Sequence, residues 1–179
     1  MAKIIAPDLA NSHLQHRGVK LGVWNDLEAI SPESNYIQSF FCTGKSVYEL
    51  VNFSQHVAGW LARGRWKILQ IDNSSHFFED QSLLLSLLLL GPSQHESFTQ
   101  NRTFLFEFGE NKQENLQTEI LLAHLINLML IYESHCYLIS SEGSLGEMLG
   151  IQDGFIYFYG NSERLAEAKK LLNDFEASP

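Results

Sequence analysis

The residue types able to do chemistry in this chain are few and scattered. Asp72-Asn73-Ser74-Ser75-His76 sets an acid, a hydroxyl and an imidazole at the end of an expected strand, a place from which catalytic groups often project. A serine hydrolase must hold the three around one reacting atom, and neighbours this close in sequence reach that geometry poorly. No Gly-x-Ser-x-Gly elbow exposes a nucleophile. A strand-to-helix turn whose Asp, Asn and Ser satisfy backbone groups accounts for the same residues. A small hydrolase using residues 72–76 is therefore the alternative reading.

Gly44-Lys45-Ser46 looks like the end of a phosphate-binding loop, but Ser39 stands where that motif needs its first glycine. Ser46-Val47-Tyr48-Glu49 also has the form of a capping box, in which hydroxyl and carboxylate each satisfy a free backbone N–H. The capping reading explains the tripeptide without phosphate. His13 and His16 lack a third ligand and a helical pattern. Cys42 and Cys136 give neither a disulfide framework nor zinc spacing, and read as reduced, buried thiols. No metal or cofactor is expected.

The acidic side chains carry a sharper message. Residues 71–160 hold twelve Asp or Glu against Arg102 and Lys112, and residues 113–163 hold no Lys or Arg. The remainder has ten basic and nine acidic side chains, so the net charge of −9 resides in that middle stretch. A solubilising surface ordinarily mixes both signs. A surface of one sign repels nucleic acid and anionic membrane and steers a basic protein. Three sets fall at expected loops: Asp72, Glu79 and Asp80; Glu107, Glu110 and Glu114; Glu142, Glu147 and Asp153. From these, with the aromatic Phe77 beside Glu79 and Asp80, the expected partner-binding residues are Asp72, Phe77, Glu79, Asp80, Glu110, Glu142 and Asp153.

Composition bounds the scaffold that must present them. The 179 residues are 45% hydrophobic and 12% aromatic, enough for one well-packed domain. The longest apolar run, residues 83–90 with Ser86 inside it, falls far short of the roughly 20 residues of a membrane span. A cytoplasmic, soluble protein is expected, with no membrane and no nucleic acid among its partners.

Periodicity supplies the elements. Residues 1–17 read as an extended arm. Strands are expected at 19–24, 36–42, 66–71, 103–108, 135–140 and 155–159, with a turn at 30–34. Helices are expected at 45–63, 81–90, 115–133 and 162–175, the third apolar almost all round and so covered on most sides. Residues 143–151 read as a turn containing at most one helical turn. Hairpins are expected within 19–42 and within 135–159. The result is an α+β single domain, a largely antiparallel sheet of five or six strands packed with three or four helices.

Two segments, Gly64-Arg-Trp-Lys-Ile-Leu-Gln-Ile-Asp-Asn-Ser74 and Asp153-Gly-Phe-Ile-Tyr-Phe-Tyr-Gly-Asn161, resemble strand-and-turn blocks of bacterial toxin-immunity proteins, the cognate inhibitors of polymorphic and contact-dependent-inhibition toxins. The resemblance implies a non-enzymatic protein that binds a cognate toxin domain, often a basic nuclease, and occludes its active site or substrate groove. It carries no binding residue across. A non-catalytic subunit or adaptor of a bacterial assembly, or a homodimer joined through an aromatic sheet face, is a further alternative.

Overall fold

A computed structural model describes residues 3–14, 19–21, 27–30, 35–40, 45–61, 66–71, 103–107, 112–132, 135–140, 147–152 and 155–176. In chain order the elements are β1 (Lys3–Ile4), α1 (Pro7–Leu14), β2 (Val19–Leu21), β3 (Leu27–Ile30), β4 (Asn35–Phe40), α2 (Val47–Leu61), β5 (Trp66–Ile71), β6 (Thr103–Glu107), α3 (Lys112–Ile131), β7 (Cys136–Ser140), β8 (Met148–Gln152), β9 (Phe155–Gly160) and α4 (Ser162–Glu176). Seven strands form one sheet in the order β1-β6-β5-β7-β8-β9-β4, and β2 and β3 form a separate ribbon. Every pairing is antiparallel. This is the α+β class read from the sequence, with a wider sheet.

The sheet is covered unequally. On one face Leu69, Ile71, Phe104, Leu138, Ile151 and Phe158 meet the apolar sides of α2, α3 and α4 in a single core. On the other, Ile68, Leu105, Tyr137, Ile139 and Met148 pack with Ala10 and Leu14 of α1 and with Val19. Successive side chains of a strand point to opposite faces, so a strand between two covered faces is buried throughout. β7 is buried at every position. β9 alternates, with Ile156 and Phe158 buried and Phe155, Tyr157 and Tyr159 half-buried.

Several expectations change. Residues 3–14, expected in an extended arm, form β1 and α1. Pro7 opens that helix and Asp8 sits in its first turn, both suited to an N-terminus, while Ala10 and Leu14 lie four apart on its buried side. Two buried positions in a polar octapeptide are too few to stand out as a period. Ile30 belongs to β3 rather than a turn. The strand expected at 19–24 does not pair with the one expected at 36–42 among the described residues: β2 pairs β3, and β4 pairs β9 from Asn35↔Gly160 to Phe40↔Phe155. Likewise β7 and β9 do not pair, because β8 lies between them.

β8 occupies the segment expected as a turn. Its Gly150 and the preceding Glu147 are both buried. A Cβ at Gly150 would lie 3.3 Å from Tyr137 Cδ1 and 3.5 Å from Tyr157 Cβ. The glycine leaves room for those two rings on neighbouring strands, as close side-chain approach requires. The expected helix at 81–90 lies outside the described residues.

α3 is less covered than its composition suggested. Leu122, Leu125, Ile126, Met129 and Leu130 are buried, while Leu116, Ile120 and Ile131 are exposed. The helix packs chiefly against α2.

Candidate functional site

α2 and α4 run antiparallel: Trp60 near the end of α2 meets Arg164 near the start of α4, and Phe53 in the middle of α2 meets Phe175 near the end of α4. Beside this contact a groove of about 470 Å³ opens, lined by Ser46, Tyr48, Glu49, Asn52, Phe53 and His56 from the α2 side and Leu171, Asp174 and Phe175 from α4. Its floor is the stacked pair Phe53 and Phe175, ring centroids 4.2 Å apart at 19°.

The capping box builds one wall. The Ser46 N–H donates to Glu49 Oε2 at 2.7 Å, the Ser46 hydroxyl donates to the same oxygen at 2.7 Å, and the Glu49 N–H donates to Ser46 Oγ at 3.3 Å. Lys45 Nζ lies 3.1 Å from Glu49 Oε1 and 5.3 Å from the Phe175 ring centroid. The Ser46 hydroxyl first, then the Ser46 N–H and Lys45, draw the Glu49 carboxyl down from 4.5 to about 2. At neutral pH that group is a fixed anion and not a proton shuttle. Lys45 and Ser46 are thus structural, as the capping reading held.

Tyr48 stands on the lip, 81% exposed and without a hydrogen-bond or ring partner among the described residues. About two turns on, His56 Nδ1 donates to the Asn52 carbonyl at 2.8 Å, since a carbonyl only accepts. In the neutral ring this leaves Nε2 as an acceptor. Asp174 closes the α4 side.

A second, shallower groove of about 210 Å³ runs between α2 and α3, with Val51, Leu116, Ile120 and Ala123 as its apolar part and Gln55, Glu119, His124 and Asn127 around them.

The closed end of the α2–α4 pair holds a buried ion pair. Arg164 Nε donates to Glu147 Oε1 at 2.7 Å, and the guanidinium also donates to Glu167 and to the Trp60 carbonyl. Its Cζ lies 4.7 Å from the Trp60 ring centroid, while Trp60 Nε1 donates back to the Arg164 carbonyl at 3.1 Å. Arg164 is only 3% exposed and Glu147 7%. Glu147 therefore leaves the acidic surface set in which the sequence placed it: its charge is spent inside the fold. Arg164 was missed altogether, since nothing local marks a helix-surface arginine as buried.

Comparison with family models, with curated proteins and with solved structures gives no match to this chain.

Asp72, Phe77, Glu79, Asp80, Glu110, Glu142 and Asp153, the expected partner-binding residues, all lie outside the described residues, as do His76, His16 and Cys42. Glu107 and Glu114 are placed in β6 and α3. Cys136 is buried, and burial pushes its thiol up, away from the reactive thiolate. His13 lies on α1, where no helix was expected, and no group of three metal-ligating side chains occurs among the described residues. Among the described residues no helix is long and apolar enough to cross a membrane.

The groove's own residues had one sequence signal. Tyr48 falls off the apolar stripe of its helix, and a large aromatic in that position must find cover elsewhere or remain on the surface.

Proposed function

We propose that the chain is a cytoplasmic, non-catalytic inhibitor of the toxin-immunity kind, which holds a basic protein domain and blocks the surface that domain works with. The observation that carries this reading is an exposed Tyr48 on an aromatic-floored groove flanked by Glu49 and Asp174, in a chain of net charge −9. Tyrosine beside carboxylates is an effective anchor for a basic partner: the ring supplies area at little entropic loss, and the charges supply steering. The acidic residues of 71–160 extend the same sign over a longer stretch, so the partner would be drawn in by many charges and held by few rings.

The test is reconstitution. The tagged chain is expressed in its native bacterium, recovered with whatever it holds, and the recovered complex is sized. A basic fragment at one-to-one stoichiometry, toxic when expressed alone and harmless with this chain, is the expected result. Recovery of the chain by itself, or with an acidic or nucleic-acid partner, would overturn the reading.

The subunit or homodimer reading draws on a different observation, the exposed Leu116, Ile120 and Ile131 on α3. It predicts self-association at micromolar concentration that a Leu116→Glu, Ile120→Glu variant abolishes.

A further inference from the structure

We draw no further inference here: the strongest candidate, the apolar groove between α2 and α3 lined by Val51, Leu116, Ile120 and Ala123, carries none because nothing in the structure shows what covers it.

Discussion

One pair of helices ends in two unlike ways. At the Trp60–Arg164 end, the Trp60 indole and carbonyl and the Glu147 carboxylate meet Arg164 from distant parts of the chain, and both Arg164 and Glu147 are shut away from water. At the Phe53–Phe175 end the rings are the floor of a groove, and the charged groups around it are Lys45, Glu49 and Asp174. In the closed end, fold and charge are inseparable, because a buried guanidinium without its carboxylate is far worse than neither. In the open end charge can be changed with little consequence for the fold, which is the condition under which a surface is free to be shaped by a partner.

The largest effect that breaks this comparison is Arg164→Ala. It leaves Glu147 buried without its guanidinium and the Trp60 carbonyl without that donor, and should lower stability by about 3–5 kcal/mol, read from the urea midpoint. Replacing both members, Glu147→Leu with Arg164→Met, should recover most of the loss. If the double variant is as weak as the single, the pair is not the reason the end is closed. Next comes Phe175→Ala. It strips a partly buried ring from Phe53 and should cost about 2 kcal/mol, roughly half of a full core truncation, measured the same way. Ser46→Ala removes the cap of α2 and should cost about 1 kcal/mol.

The smallest effect is one of pH. Glu49 has its carboxyl lowered to about 2 in the folded chain, so it binds its proton less readily there than in the unfolded chain, where the value is near 4.5. Its stabilising contribution is present in full above about pH 4.5 and is lost as pH falls toward 2. A Glu49→Gln variant should therefore be less stable than the parent at pH 6, with the gap narrowing as denaturation curves are taken down through pH 4 and 3. A gap independent of pH would mean that the carboxylate's charge does not contribute. Because the group is solvent-exposed, added salt should narrow the same gap.

What could be read in advance follows the range of the interaction. The Ser46–Glu49 cap was legible because both halves lie within one helical turn, and it occurs as expected. α2, α4, β5 and β9 were legible because period 3.6 and period 2 are local properties of a segment. β8 was missed. Glycine and glutamate signal a bend only if nothing else needs them, and here Gly150 yields space to two tyrosines while Glu147 meets an arginine on another element. The partner of β4 was equally out of reach, since pairing is decided by strands far apart in sequence. For the site, the acidic bias pointed to a kind of partner, whereas the groove depends on aromatic residues from α2 and α4 that only tertiary packing brings together.

The pairing of β4 with β9 also sets a timetable. Among the described residues β9 is the one strand that β4 pairs with, and it is encoded after every other strand of the sheet. A growing chain that lengthens by roughly 5–20 residues per second has released β4 on the order of ten seconds before β9 exists. Through that interval β4 carries two unpaired rows of backbone donors and acceptors, and α2 lacks α4 to cover its apolar side. Loops this long also close slowly once both ends are available. The nascent chain is thus exposed to mispairing for longer than a sheet built from neighbouring hairpins, and its yield in the cell should depend on chaperones that hold extended segments during synthesis.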